Sequence, residues 1–98
     1  MNKKIVVNNN SYELIKNYRE AFEEGEFIEK CTDYFEDYDY IVGDIAYGKL
    51  RLKGFYEPTN KKVKPLNNYQ KVEEYLKESC ANDCRHFIVK KVGKENEI

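Results

Sequence analysis

The sequence lacks several of the features by which functional classes are usually recognised. Its 98 residues include no tryptophan, one histidine, two prolines and three cysteines. A small odd number of cysteines argues against the disulfide framework of a secreted domain and favours a reducing cytoplasm. No apolar run approaches the roughly 20 residues of a membrane-spanning helix. The apolar run after the basic start is also too short for a signal peptide, so we expect a cytoplasmic protein with no membrane partner.

Catalytic signatures are missing too. There is no glycine-rich phosphate loop, no nucleophile elbow and no histidine–carboxylate spacing of a known catalytic motif. The sequence therefore predicts no catalytic residue and no cofactor, and it favours a non-enzymatic function over an enzyme.

The composition is that of one soluble globular domain. Charged residues make up 36% of the chain and hydrophobic residues 41%. We place a single domain over residues 1–98, with an ordered core over 3–92 and a frayed tail over 93–98. Residues 1–48 hold five basic and eleven acidic side chains, whereas residues 49–98 hold twelve and seven. This division predicts either pairing between the two halves or a surface with two signs of charge.

Hydrophobic periodicity predicts an α+β fold in the order ββαββαβ. Alternation and turn residues predict strands over residues 4–7, 11–18, 38–43, 50–55 and 87–92. Helical spacing predicts a first helix after Arg19, divided by Gly25, and a second helix from an Asn67 cap to Ser79. An antiparallel or mixed sheet covered by the two helices is the expected arrangement.

The chain resembles the YutD-like family of small Gram-positive bacterial proteins. The resemblance is carried by Tyr38-Asp39-Tyr40-Ile41-Val42-Gly43-Asp44, Tyr47-Gly48 and Leu50-Arg51-Leu52-Lys53-Gly54-Phe55-Tyr56, and by Cys80-x3-Cys84 before Phe87-Ile88-Val89. It spans roughly residues 5–92. The chain departs from the family at Ile45-Ala46, where Trp-Gly is usual, and at His86, where an aromatic residue is usual. The resemblance implies a small α+β cytosolic domain and implies no reaction.

The hairpin predicted over residues 38–56 carries the main candidate for a binding site. Alternation places Leu50 and Leu52 on the inner side of the sheet and Arg51 and Lys53 on the outer side. Because tyrosine is enriched at interfaces, we expect a protein-binding or regulatory module, whose partner is an unidentified protein or a second copy joined through an edge strand. The predicted contact residues are Arg51, Lys53, Tyr47, Phe55 and Tyr56 of the hairpin and Lys61, Lys62 and Lys64 of the next loop.

Two carboxylates accompany this hairpin. Asp39 and Asp44 flank one strand, and Arg51 lies on its neighbour. A carboxylate–arginine pair across a hairpin can bind an anionic substrate, and it can equally be a structural cross-strand ion pair. We favour the structural interpretation.

Binding of RNA or single-stranded DNA is the alternative function. Cations interleaved with aromatic residues on a sheet are typical of proteins that bind single strands. Lys53-Gly54-Phe55-Tyr56 is similar to the start of an RNA-recognition signature, but Pro58 ends the strand early and the isoelectric point of about 5.9 is low for such a protein. The competing interpretation is a solvated outer face that the acidic first helix partly covers.

The cysteines and the histidine offer a weak metal or redox hypothesis. Cys80, Cys84 and His86, with Cys31 as a fourth ligand, would suit zinc, and the Cys80–Cys84 pair could form a disulfide. Free cysteine is among the most buried residue types. We therefore favour packing, and we predict no bound metal.

Overall fold

The computed structural model describes residues 3–79 and 84–94, which form an α+β domain with one antiparallel sheet. The strands are β1 (Lys3–Val7), β2 (Asn10–Tyr18), β3 (Tyr40–Ala46), β4 (Lys49–Phe55) and β5 (His86–Lys94). The α-helices are α1 (Glu24–Lys30) and α2 (Val72–Ser79), and short 3-10 helices lie at Asp33–Phe35, Pro65–Asn67 and Tyr69–Lys71. The predicted α+β class is confirmed. The 3-10 helices were not predicted.

The strand order in the sheet is β1-β2-β5-β3-β4. The last strand in sequence, β5, is therefore the central one, and it pairs with β2 on one side and β3 on the other. The outer strands belong to two hairpins, β1–β2 and β3–β4. Each hairpin has a two-residue turn, Asn8-Asn9 or Tyr47-Gly48, in which both residues have positive φ. Such turns match the twist of the paired strands, which explains the tight connections.

One face of the sheet packs against the α1 region. Ring packing centres on Phe87, whose ring contacts Phe22 and Phe27 edge to face. Gly43 lies beneath this ring, because a Cβ atom built there would be 2.2 Å from a Phe87 ring carbon. The buried residues of this cluster are Ile5, Val7, Tyr12, Ala21, Phe27, Cys31, Ile41, Leu50, Phe87 and Val89.

The opposite face packs against α2. Its buried residues are Tyr40, Val42, Phe55, Val72 and Ile88. Tyr75 and Leu76 of α2 pack against this cluster, as does Tyr69, which stacks on Tyr40. Two apolar layers, one on each side of a single sheet, account for a strand such as β3 being buried along most of its length.

The first helix differs from its prediction in length. Gly25 does not divide it but lies inside α1, which begins after Glu23. The Glu23 carboxylate accepts hydrogen bonds from the backbone N–H groups of Gly25 and Glu26 and so caps the helix. The glycine is tolerated because the cap and the burial of Phe27 hold the first turn.

Other boundaries shift by a few residues. Asn68, not Asn67, accepts the capping hydrogen bond before α2, and α2 ends at Ser79 as expected. The final strand begins at His86 and extends to Lys94, two residues into the tail predicted to fray. The rest of that tail, 95–98, lies outside the described residues. No helix within the described ranges is long and apolar enough to cross a membrane.

Candidate functional site

The β3–β4 hairpin brings the predicted site residues into register. Directly opposite pairs across the two strands are Asp44 with Arg51, Val42 with Lys53 and Tyr40 with Phe55. Because Tyr40, Val42 and Phe55 belong to the cluster packed against α2, Arg51 and Lys53 lie on that same face. The helix over this face is thus α2, and not the first helix, which the competing interpretation placed partly over it.

Arg51 makes three hydrogen bonds to two other parts of the fold. Its Nε and one terminal nitrogen each donate to a carboxylate oxygen of Asp44 at 2.9 Å. A terminal nitrogen also donates to the backbone carbonyl of Ser79 at 2.8 Å. Asp44 is only 1% exposed, and the hydrogen bond to it raises the pKa of Arg51. The pair therefore joins β3, β4 and the end of α2, while the Arg51 side chain remains 46% exposed.

Asp39, the other predicted carboxylate, has a different role. It accepts hydrogen bonds from the backbone N–H of Glu57 at 2.8 Å and from the side-chain amide of Asn60 at 3.0 Å. These bonds fasten the loop after β4 to the start of β3. Asp39 therefore shapes the loop, and the carboxylate that pairs with Arg51 is Asp44.

Lys53 stands at the edge of an apolar groove. Its Nζ atom lies 5.3 Å from the centroid of the Phe55 ring and 5.7 Å from that of Tyr75, both within cation–π distance. The groove has a volume of about 290 Å³ and runs between β4 and α2. Its apolar lining comes from Phe55, Tyr75, Pro65 and Leu66. Lys53, Lys71, Glu74 and Glu78 form its charged rim.

The aromatic residues of the predicted site divide into one exposed and two buried rings. Tyr47, at the turn between β3 and β4, is fully exposed at 102%. Phe55 is 1% exposed beneath Tyr75, and Tyr56 is 7% exposed and packs on Tyr38. The outward orientation of Phe55 therefore places it under α2 and not in solvent. Of the three rings, Tyr47 alone can meet a partner without rearrangement of the core.

The loop lysines Lys61, Lys62 and Lys64 are exposed, and Lys62 forms an ion pair. Lys62 Nζ pairs with Asp37 at 2.6 Å, which ties part of the basic loop to the acidic first half of the chain. Lys61 and Lys64 are exposed on the same loop. Pairing between the halves, one of the two arrangements that the charge division predicted, occurs at this loop and also between Arg51 and Asp44.

The proposed metal ligands are dispersed. Cys31 is a free, buried thiol in the cluster against α1, whereas the alternation of β5 places His86 on the α2 face with Ile88. Cys84 is disulfide-bonded and offers no thiolate, and Cys80 lies outside the described residues. Across residues 3–79 and 84–94 no three metal-ligating side chains come together.

His86 extends the Arg51–Asp44 row across the sheet. It stands opposite Asp44 in the β3–β5 pairing and stacks on Tyr18 of β2 with a centroid separation of 5.0 Å. Its Nδ1 atom is 3.0 Å from the carbonyl oxygen of Cys84, and its Nε2 atom is buried with no hydrogen-bond partner in the structure. The arrangement packs the imidazole between Tyr18 and the Cys84 backbone.

Sequence reasoning missed the groove. Leu66 is 84% exposed beside Pro65, and Tyr75 and Glu78 lie one turn apart on the face of α2 that borders β4. Leu66, an apolar residue next to a proline in a basic loop, was the sequence signal for this surface. The packing of α2 beside β4, however, depends on tertiary contacts that the sequence does not reveal. The groove borders the predicted hairpin, and its helical wall, α2, was not predicted.

The fold and this surface define a class of protein: a small α+β domain with a five-stranded antiparallel sheet and one helix on each face. A family model described as "Putative antitoxin YutD-like" matches residues 6–90. The chain belongs to this family.

A curated relative and a solved structure agree with that assignment. The chain is 38% identical over 90 residues to "Putative antitoxin YutD" of Bacillus subtilis, covering 92% of this chain and 99% of the relative. It also matches the solution NMR structure of protein yutD from B. subtilis, a structural-genomics target, with a TM-score of 0.80 and 36% identity. That match covers 97% of this chain and 86% of the solved one.

Proposed function

We propose that this protein is an antitoxin-type regulatory protein, which binds a protein partner and suppresses its activity without catalysing a reaction. The proposal is supported by the family description and by the printed name of the B. subtilis relative. An antitoxin of this kind needs a contact surface and no catalytic group.

The observation that carries the proposal is Tyr47. It is an aromatic residue at the first position of a two-residue turn, with φ of +53°, and it is fully exposed. Positive φ is uncommon for a residue with a bulky side chain, and Asn or Gly fits such turns better. The tyrosine thus costs stability, and its full exposure means that it packs little against the described part of the chain. A ring of this kind is well suited to bury area against a partner.

The proposed contact surface extends from Tyr47 along β4. Lys49 is exposed next to the turn, and Lys53 follows on the strand edge. Arg51 lies between them and is held rigidly by Asp44. Lys61 and Lys64 supply further positive charge on the loop after β4. Cations at such a rim increase the rate of association and select an acidic partner more than they add affinity.

Single-stranded nucleic-acid binding has less support than protein binding. That function needs exposed rings on which bases stack. Phe55, the ring that sequence reasoning offered for stacking, is 1% exposed under α2. A gel shift with single-stranded RNA at low salt tests this alternative directly: retention that weakens steeply as salt increases would favour it.

Site-specific photo-cross-linking in B. subtilis cells tests the proposed function. A photoreactive phenylalanine analogue at position 47 should capture one protein, identified by mass spectrometry. The matched control is the same analogue at position 34, because Tyr34 is also exposed at 69% but lies in the 3-10 helix before β3. Production of the captured protein alone should arrest growth, and co-production of this chain should restore it. A captured protein that is harmless alone would contradict the antitoxin function.

A further inference from the structure

The groove between β4 and α2 has an apolar wall that stands in solvent. Leu66 lines this groove and is 84% exposed, a larger fraction than that of Val92 at 55% or Ile28 at 41%. It lies in the 3-10 helix Pro65–Asn67, whose proline restricts the backbone. Covering such a side chain removes apolar area from water, which favours association. The groove is therefore a surface at which contact with another molecule gains free energy.

The floor of the groove is aromatic. The ring of Tyr75 packs edge to face on that of Phe55, with a centroid separation of 5.5 Å. Tyr75 is only half-buried, so part of its ring is left for a further contact. The groove volume of about 290 Å³ lies just below the roughly 300–1,000 Å³ of a small-molecule site. The groove therefore fits one large side chain of a partner better than a cofactor.

The rim of the groove carries both signs of charge. Its charged side chains are Lys53, Lys71, Glu74 and Glu78. Within residues 3–79 and 84–94 none of these four forms an ion pair. Because two cations and two carboxylates sum to zero, the rim favours neither an acidic nor a basic segment as a whole. It favours a segment that presents both signs.

The position of Glu78 is not explained by the stability of α2. Glu74 and Glu78 lie one turn apart on this helix, and like charges at that spacing repel each other. Glu78 also lies in the last turn of the helix Val72–Ser79, where the helix dipole disfavours a negative charge. A carboxylate that its own helix disfavours, at the rim of an apolar groove, is suited to bind a cation of another molecule.

The position of each charge gives the bound segment an orientation. Both carboxylates belong to α2, whereas Lys53 belongs to β4 and places its Nζ atom 5.3 Å from the centroid of the Phe55 ring. Lys71 stands just before α2, at the opposite end of the helix from Glu78. A basic residue of a bound segment would face the carboxylates of α2, and an acidic residue would face Lys53. A large apolar residue between them would lie over the aromatic floor.

The groove continues the contact surface proposed around Tyr47. Lys49, Arg51 and Lys53 are alternate residues of β4 and share the face that α2 covers. Lys53 is six residues from Tyr47, which is roughly 20 Å of extended strand. A standard interface of about 800 Å² per partner is wide enough to include both. One partner can therefore contact the turn and the groove at the same time.

We propose that the groove between β4 and α2 binds one large apolar side chain of the partner protein. The segment that carries it has a basic residue on the α2 side and an acidic residue on the Lys53 side. The proposal rests on the proposed function in that the occupant belongs to a protein partner. It goes further because it names a second contact point and the sequence character of the bound segment.

Capped peptides test the groove without knowledge of the partner. The probe is arginine-glycine-phenylalanine-glycine-glutamate, and its titration is followed by amide chemical shifts in NMR. Shifts should change at Leu66 and Tyr75, and binding should be at least about threefold tighter than that of peptides with two arginines or two glutamates. Alanine in place of the phenylalanine should abolish binding. Equal affinities of the three charge types, or unchanged shifts at Leu66 and Tyr75, would overturn the proposal.

Exchanging one charge of the rim should exchange the preferred peptide. Glu78→Lys should weaken binding of the mixed peptide about threefold and strengthen that of the two-glutamate peptide, whereas Lys53→Glu should strengthen binding of the two-arginine peptide. Glu73→Lys, the same charge change on the same helix but outside the groove, is the control and should leave the preference unchanged. Unfolding cannot produce a gain of affinity for another peptide. Equal effects of Glu78→Lys and Glu73→Lys would count against the groove.

Cross-linking in cells tests whether the groove and Tyr47 contact the same molecule. A photoreactive phenylalanine analogue at position 66 should capture the protein that is captured at position 47. The control is the analogue at position 28, because Ile28 is exposed on α1, far from β4 in the sheet order. Capture of a different protein, or of a second copy of this chain, would overturn the proposal.

The two proposals fail in different ways. If position 47 captures a growth-arresting protein, position 66 does not, and Glu78→Lys binds that protein as tightly as the unaltered chain, the groove proposal is wrong and the antitoxin function stands. If both positions capture the same protein and that protein is harmless, the groove contact stands and the antitoxin function is wrong.

Discussion

Arg51 has a structural role as well as a place in the predicted binding face. The sequence predicts an outward cation there and favours a structural cross-strand ion pair, and the structure contains that pair with Asp44. The Arg51 side chain is held by the buried carboxylate of Asp44 and by the carbonyl at the end of α2. Replacing Arg51 would break these structural bonds as well as any contact with a partner. Lys53 and Tyr47 are therefore the better positions at which to probe binding.

Replacing Arg51 should therefore affect stability first. Arg51→Ala leaves Asp44 buried without its partner, and we expect a loss of about 2 kcal/mol, less than for a fully buried pair because the guanidinium is half exposed. Urea denaturation measures the loss. Lys49→Ala, at an exposed position of the same strand, is the control and should change stability by less than about 0.5 kcal/mol. Equal effects of the two substitutions would show that the ion pair contributes nothing.

Cys31 should be an unreactive thiol in the folded protein. It is 3% exposed, and burial raises its pKa to about 11, although a hydrogen bond with Tyr12 opposes the shift. Because the thiolate is the reactive form, alkylation at pH 8 should be slow in the native state and fast in denaturant. Peptide mass spectrometry after timed alkylation measures both rates. Rapid labelling of Cys31 in the native protein would contradict the packing described for the α1 face.

At the scale of elements, the β3–β4 hairpin can be predicted from its own residues, but its turn contains a tyrosine that lowers its stability. The two-residue turn and the alternation of its strands were predictable, because side-chain period and positive-φ chemistry are local properties. The choice of tyrosine in place of asparagine at position 47 has no explanation within the hairpin. The contact with a partner protein proposed above would account for this tyrosine.

Replacing the turn tyrosine should separate stability from binding. Tyr47→Asn improves the turn, and we expect stability to increase by roughly 0.5 kcal/mol while capture of the partner decreases. Thermal denaturation measures the first effect and binding to the cross-linked partner measures the second. Tyr34→Asn, at the other exposed tyrosine, should leave capture unchanged. A more stable Tyr47→Asn variant that binds normally would remove Tyr47 from the contact surface.

At the scale of the whole molecule, the position of β5 governs folding. It is the last strand in sequence and the middle strand of the sheet, so the β1–β2 and β3–β4 hairpins meet only through it. Most of the long-range pairing therefore waits for the end of the chain. Closing such long loops costs entropy before the contacts form, which slows folding.

Truncation tests this dependence. A chain of residues 1–85, which lacks β5, should lose the dispersed amide spectrum of a folded protein, because both hairpins are then unpaired on their inner sides. A chain of residues 8–98 loses only the edge strand β1 and should keep a four-stranded sheet with lower stability, since Ile5 and Val7 leave the core. A folded 1–85 fragment would show that the hairpins associate without the central strand.

Much of the fold was predictable, and the misses share a cause. The strands of the hairpins, the end of α2 at Ser79 and the α+β class follow from local periodicity. The start of α1 was missed because the Glu23 cap overrides the effect of Gly25. The face of the sheet that each helix covers was not predicted. Periodicity shows that a helix has an apolar side, but it does not show which face of the sheet that side packs against.

The sequence by itself determined the alternation of β3 and β4, the two tight turns and the family resemblance, since all three depend on neighbouring residues. Only the tertiary structure decided the central place of β5, the burial of Phe55 under α2, the ion pair of Arg51 with Asp44 and the groove between β4 and α2. These features depend on contacts between residues distant in the chain. The groove belongs to this second group, because one of its walls comes from β4 and another from α2.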